Sequence, residues 1–216
     1  MRVAGVDEAG RGCVIGPLVT CALALEEKDI PILQEWGVKD SKLLPPEKRE
    51  EIYKLLVKRF DYHLAVVYPL EIDKAVSGPT SDNLNWLEGR KMAECMNVLK
   101  PEKSFIDCPS TNIAAFTGFL ANLVSCKLVL EHKADTNYPV VGAASIIAKV
   151  TRDAEIEKIK ARIGIDFGSG YSSDPKTQAF IKEYWNVYPD IFRRSWDTYS
   201  SIKKAAAQKG LGSFVK

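Results

Sequence analysis

The sequence predicts an α/β protein with a mixed central sheet flanked by helices and a helical C-terminal part. Two apolar, strand-length runs open the chain and are separated by a glycine-rich turn, the pattern of a hairpin. Further strand-length runs then alternate with segments of helical periodicity. From about residue 165 onward only helix and loop patterns remain. With 216 residues, 46% hydrophobic and 27% charged, the chain can bury a core without disulfide or metal staples, and its composition is not that of a disordered protein.

The elements follow in order. Residues 2–7, with Val3 and Val6, read as a buried strand, and Gly10, Gly12 and Gly16-Pro17 mark the turn after it. Residues 18–25 (LVTCALAL) form the second strand of the hairpin. Pro45-Pro46 and the charged run after it start a helix, along which Ile52, Leu55, Leu56 and Phe60 recur at helical spacing. Residues 62–68 are a third strand, and Asp82 caps a helix over Asn83 to Leu99. A short strand at 103–107 (KSFID), a helix at 111–122 and a strand at 126–131 (CKLVLE) come next. Ala143, Ile147, Val150 and Ala154 make one stripe of a long helix. Asp174-Pro175 opens a helix carrying Phe180, Ile181, Tyr184 and Trp185, and the remainder is short helix and tail. The expected division is a catalytic domain over 1–164, a helical region over 165–207 and a tail over 208–216.

Composition excludes several classes. The 30 Lys and Arg against 28 Asp and Glu give a net charge of +2, so any nucleic-acid affinity must rest on local patches. The five cysteines form no C-x-x-C pair, which reads as reduced, mostly buried thiols in a cytoplasmic protein. With two histidines, His63 and His132, a His-based triad or His-rich metal site is nearly excluded. No apolar run reaches membrane-spanning length, and no basic-then-apolar leader is visible.

Three predicted strands end in carboxylates: Asp7 with Glu8, Asp107, and Asp135 just past the fifth strand. Sites of open α/β sheets gather at strand ends, where loops converge. Four carboxylates in one place repel and are costly to desolvate, and divalent cations relieve both. Donor sets of oxygen alone select hard ions, Mg²⁺ or Mn²⁺. Two such ions about 3.5–4 Å apart activate water and stabilise the leaving oxygen of a phosphodiester. Side chains of adjacent strand residues point to opposite faces, so Asp7 and Glu8 share a site only if the strand ends or twists there. The alternative is a set of solvated strand-end acids or helix caps.

Directly after the acidic pair, Gly10-Arg11-Gly12 lets backbone amides and carbonyls approach a phosphate or a sugar hydroxyl. Read locally, the same three residues also make a simple hairpin turn with a surface arginine. The string GVDEAGRG at 5–12 resembles the opening motif of type 2 ribonucleases H, the ribonuclease HII family. The resemblance continues through Lys39-Asp40-Ser41-Lys42, Ile106-Asp107-Cys108-Pro109, Lys133-Ala134-Asp135 and Val141 to Val150. It closes with Arg152-Asp153 and Gly168-Ser169-Gly170-Tyr171. The blocks keep the family's order over about residues 3–200, most like an archaeal single-chain form.

That resemblance implies an RNase H-like fold and a metal-dependent endonuclease, using Mg²⁺ or Mn²⁺, two ions during catalysis. Such an enzyme hydrolyses the RNA strand of RNA/DNA hybrids and incises 5′ of single ribonucleotides embedded in duplex DNA, leaving 3′-hydroxyl and 5′-phosphate ends. It would serve ribonucleotide excision repair. Asp7, Glu8, Asp107 and Asp135 match the family's catalytic metal ligands; Gly10, Arg11 and Gly12 match the turn that reads the 2′-hydroxyl, and Tyr171 the tyrosine that helps it. The 2′-hydroxyl is the local mark of RNA and both donates and accepts hydrogen bonds. Where the family commonly has proline after that tyrosine this chain has Ser172, which loosens the loop.

Lys39, Lys42, Lys149 and Arg152 are candidate phosphate contacts, with Lys42 and Arg152 inside matching blocks. Solvated surface charge is the competing reading for all four. Tyr184, Trp185, Arg193, Arg194 and Trp196 form either a duplex-tracking stretch or an amphipathic helix core with a wet rim. In the tail, Gln208, Leu211, Phe214 and Val215 keep the Q-x-x-L-x-x-F-V spacing of the peptide by which replication enzymes dock on the sliding clamp; a frayed terminus is the alternative. Partners are thus RNA/DNA hybrid, ribonucleotide-containing duplex and the clamp, with a monomer as the default state. A non-catalytic hybrid-binding module and an integrase-like or DNA-cutting nuclease of the same fold are the competing functions.

Overall fold

The alternating N-terminal run forms β1 (Arg2–Ala9), and the apolar run after the turn forms β2 (Leu18–Glu26). They pair antiparallel, with Arg2 opposite Glu26 and Ala9 opposite Val19. The computed structural model describes residues 1–38, 44–77 and 83–212, apart from the side chains of 209–212. Among these the chain continues through α1 (Ile30–Glu35), α2 (Pro46–Arg59), β3 (Asp61–Val67), α3 (Pro69–Ser77), α4 (Leu84–Leu99) and β4 (Lys103–Asp107). It goes on through α5 (Ile113–Ala121), β5 (Lys127–Glu131), α6 (Ala134–Asn137), α7 (Pro139–Ile163), α8 (Pro175–Tyr184) and α9 (Asp197–Gly212). The five strands make one sheet in the order β3-β2-β1-β4-β5, with β1, β4 and β5 parallel to one another. This is the mixed sheet that a hairpin followed by β–α alternation predicts.

The described residues divide into two compact units. The first holds Met1–Ala9, Val19–Val66 and Asn83–Arg152, and so the sheet apart from Leu18 and Val67 at its strand ends. Each sheet face has its own apolar core, assigned by strand alternation. Val3, Ala9, Cys21 and Leu23 join Ile52 and Leu56 of α2 and Val140 to Ala148 of α7 on one face. Ala4, Val6, Ala22 and Ile106 join Met92 and Met96 of α4 and Phe116 and Leu120 of α5 on the other. A buried side chain of this size contributes about 1.5–3 kcal/mol, so the two faces together account for the stability of the sheet. Gly5 sits where α7 packs tightly on β1: a Cβ there would lie 2.1 Å from the Val140 carbonyl oxygen.

The second unit holds Gly10–Leu18, Val67–Asp82 and Asp153–Lys216. Its core gathers Val14, Ile15, Ile156, Phe167, Phe180, Ile181 and Phe192. Phe180 lies 4.8 Å from the ring of Tyr184 and 5.3 Å from that of Phe167. Tyr184, Trp185 and Trp196 pack against this core rather than standing free, so the aromatic stretch is core with a rim.

Several local expectations change. Leu55 faces outward, 43% exposed, while Ile52 and Leu56 are buried, because α2 presents a narrow stripe. The N-cap of α4 is Asn83, whose side chain accepts from the Trp86 amide at 3.1 Å; Asp82 lies outside the described residues. Three short helices among the described residues depart from the sequence reading: α1 and α3, which begin at or beside a proline, and α6, which the sequence reading treats as the run-out of β5. The C-terminal helix α9 is longer than the short helix expected, at 16 residues. Cys13, Cys21, Cys95 and Cys108 are buried free thiols and Cys126 is half-buried. No helix among the described residues is long and apolar enough to cross a membrane.

Candidate active site

Parallel pairing of β1 with β4 runs to Val6 beside Ile106, so the next residues on the two strands are Asp7 and Asp107. Both belong to the face that carries α7, as the burial of Val3 and Ala9 and the packing of Phe105 on that side show. Asp135 arrives from a different device. After β5, Lys133 takes a left-handed conformation (φ 59°) and reverses the chain into α6, with Asp135 in its first turn. The Ala134 amide donates to Asp107 Oδ1 at 3.1 Å, tying α6 to the end of β4. The Cys108 amide donates to the Glu131 carbonyl at 2.9 Å, and His132 Nδ1 lies 3.1 Å from the Cys108 carbonyl, so both histidine and cysteine hold the strand ends in place.

Three carboxylates meet as a result. One oxygen each from Asp7, Asp107 and Asp135 lies within 4.8 Å of the others, with Asp7 and Asp135 buried and Asp107 half-buried. Burial, then the neighbouring charge of Asp107, pushes the Asp7 carboxyl up to about 7, against hydrogen bonds from Ser145 and the Glu8 amide that favour its ionised form; Asp135 adds to the rise. The Glu8 amide donates to Asp7 Oδ1 at 2.7 Å. Three oxygen donors without histidine or cysteine, one of them made harder to ionise by burial and like charge, fit a hard divalent cation, which would offset that charge and compete with the proton.

Glu8 is not one of the trio. β1 continues regularly to Ala9, and Glu8, half-buried at the position after Asp7, is not among the three acids whose oxygens meet. Ser145 was not expected at the site. Its signal is a hydroxyl inside the otherwise apolar run Ala143-Ala144-Ser145-Ile146-Ile147, on the buried face of α7.

The glycine turn and Tyr171 lie in the second unit, bridged to each other between Cys13 and Tyr171. Gly10 has φ 90°, which the turn requires. Gly12 is exposed, and a Cβ placed on it meets nothing within 4 Å. Half-buried Tyr171 sits on a loop organised by Asp174, which accepts from the Ser169 amide at 2.7 Å and the Ser169 hydroxyl at 2.6 Å. Ser172 does not loosen that loop: Thr198 Oγ1 donates to its hydroxyl at 3.1 Å and Gln178 Nε2 to its carbonyl at 2.8 Å. Arg152 is only 1% exposed, a burial that leaves no surface for a phosphate. Lys39, Lys42, Phe214 and Val215 lie outside the described residues; Gln208 and Leu211 fall on α9.

A mixed sheet of this order, with carboxylates converging at the ends of its central strands, defines a hydrolase of the ribonuclease H class. Known proteins carry the same class. The family model described as ribonuclease HII matches residues 4–199. A ribonuclease HII of Pyrococcus furiosus is 42% identical, over 100% of this chain and 99% of the relative. The crystal structure of ribonuclease H2 from Pyrococcus horikoshii superposes with TM-score 0.85 at 44% identity, covering 95% of this chain and 98% of that one. A structure of the PCNA:RNase HII complex from Archaeoglobus fulgidus superposes with TM-score 0.84 at 40% identity, covering 91% and 96%. The chain belongs to the ribonuclease HII family, and with it to the enzymes that cleave RNA endonucleolytically in RNA/DNA hybrids.

Proposed function

We propose that this enzyme, besides cutting the RNA strand of hybrids, incises duplex DNA 5′ of single embedded ribonucleotides and leaves 3′-hydroxyl and 5′-phosphate ends. The buried trio of Asp7, Asp107 and Asp135 carries the reading: a carboxyl raised by burial and like charge is an arrangement that a cation relieves. In this reading the trio holds Mg²⁺ or Mn²⁺, and Glu8, which stands outside the trio in this structure, would be drawn in as the fourth acidic ligand when an ion is bound. Divalent ions bound there would supply an activated water for in-line attack and neutralise the departing 3′ oxygen. The residues' own work is to gather negative charge at the ends of β1 and β4 and behind β5, to release the Asp7 proton on loading, and to hold Asp7 in one rotamer through Ser145 and the Glu8 amide.

Gly10, Arg11, Gly12 and Tyr171 read the ribose in this proposal. Open space over Gly12 supports it, since nothing among the described residues demands a glycine there and a close-lying ligand would. A site built to pair with a hydroxyl rejects substrates that lack it. The 2′-hydroxyl is recognised and is not the nucleophile. Residues 1–164 hold the catalytic groups, and Lys42 contributes a phosphate contact.

The test is a DNA duplex with one ribonucleotide. Incision that requires Mg²⁺ or Mn²⁺, yields a 5′-phosphate and falls by three or more orders of magnitude in Asp135→Asn is expected, given the several kcal/mol that a metal contributes to the transition state (about 1.36 kcal/mol per tenfold). A 2′,3′-cyclic phosphate product, or cutting of the all-DNA duplex alone, would reject the proposal.

The tail supports a second partner. The spacing Gln208-x-x-Leu211-x-x-Phe214-Val215 matches a clamp-docking peptide, and the Archaeoglobus fulgidus relative was solved as a PCNA:RNase HII complex. Deleting 208–216 should abolish co-elution with a sliding clamp and spare cutting of free substrate; undiminished co-elution would reject it.

A further inference from the structure

Arg193 has no place in the chemistry above, yet among the described residues of the second unit it is a fully enclosed cation, with 0% exposure. Sealing a guanidinium from water is costly unless its donors are used. Two of them are used on one short segment. Nε donates to the Gly16 carbonyl at 3.1 Å and Nη1 to the Arg11 carbonyl at 2.9 Å. Trp196 flanks the group, with its ring centroid 4.9 Å from Cζ, and restrains the plane of the fork.

Backbone bonds secure the rest of that segment. The Arg193 amide donates to the Val14 carbonyl at 2.9 Å and the Gly16 amide to the Ile191 carbonyl at 3.0 Å. From the other side, the Val14 and Ile15 amides both donate to the Gly170 carbonyl, at 2.9 and 3.2 Å. Residues 14–16 are therefore gripped between Gly170-Tyr171 and Ile191–Arg193, and the Arg193 side chain extends the grip back to Arg11. A peptide unit is planar and trans, so its C=O and N–H point in opposite directions. Holding the Arg11 carbonyl toward the buried guanidinium turns the Gly12 N–H to the opposite side, at an exposed residue with open space over its Cα.

We infer that Arg193 is a positioning residue for ribose recognition: it orients the Arg11–Gly12 peptide so that the Gly12 amide is presented to the substrate sugar, in one hydrogen-bonded block with Tyr171. The inference rests on the reading of Gly10–Gly12 as the ribose reader.

The experiment measures affinity, without metal, for a duplex carrying one ribonucleotide and for its all-DNA counterpart. The ratio of the two constants is unaffected by the fraction of protein that folds, so a merely structural role for Arg193 would not move it. Arg193→Met should lower the ribonucleotide preference about tenfold, the scale of one lost hydrogen bond, while leaving all-DNA affinity in place. Arg193→Lys, which keeps the charge but replaces the fork with a point donor, should recover only part of the preference. A wild-type ratio in folded Arg193→Met overturns the assignment of Arg193. If that variant does not fold, Arg193→Lys decides alone, and a full wild-type ratio there overturns it. Absence of any preference in the wild-type enzyme overturns the ribose reading of the turn itself, and this inference with it.

Discussion

Asp7 shows how burial and charge act on one carboxyl. In the metal-free protein its folded-state value near 7 lies above the ordinary 3.8, with burial the largest cause and Asp107 the next. A raised value means that the folded state binds the proton more tightly than the unfolded one. The associated stability is complete below the ordinary value and is lost as pH climbs through about 7. Asp7→Asn removes the titration, so in chelator the variant should gain stability relative to wild type between pH 4 and pH 8. Urea midpoints at a series of pH values check this; a difference that stays flat or runs the other way would show that the carboxyl is not strained. Ser145 is the matching lesson on the other side, a hydroxyl set in an apolar helix face because one buried acid needs a donor.

At the level of elements, the register of β1 on β4 and the contact of β1 with α7 decide where the acids stand. Gly5 permits that contact, and an added methyl would meet the Val140 backbone at 2.1 Å, where no side chain can yield. Gly5→Ala should therefore cost about 3 kcal/mol or more, beyond an ordinary overpacked site, because a helix must shift and not a rotamer. The urea midpoint reads the loss; a change below about 1 kcal/mol would mean that α7 retreats easily. Movement of α7 would also carry Ser145 away from Asp7, joining helix packing to the chemistry of the acid. In the second unit, the Tyr171 loop rests on Asp174, which both caps α8 through the Lys176 amide at 2.9 Å and binds Ser169, so the loop and the helix start form together.

Over the whole molecule, the trio is assembled from positions 7, 107 and 135, so it exists only in the folded chain. An ion that binds it must stabilise the native state by mass action. Mn²⁺ at a hundredfold excess over its dissociation constant should add about 2.7 kcal/mol to unfolding, and Asp107→Asn should remove most of that gain. Thermal midpoints with and without Mn²⁺ measure it apart from any activity. An unmoved wild-type midpoint at saturating ion would dismiss the trio as a cation site. The gain should be larger at pH 8 than at pH 5, because at pH 5 the ion must displace the Asp7 proton.

Patterns that are local survive the passage from chain to structure. The hairpin and the alternation of strands with helices follow from short-range periodicity, and the structure keeps them. The motif blocks likewise point to the family, because each spans only a few consecutive residues. Other features depend on residues far apart in the chain and have no local signature. Glu8 stands outside the trio although it follows Asp7 directly, Leu55 misses the buried stripe by one position, and Arg152 is enclosed where a surface contact was expected. The grip of Arg193 on Arg11 spans 182 positions. Neither residue announces the other, since hydrogen bonds and burial are settled by which segments pack together, and only a completed core brings those segments into reach.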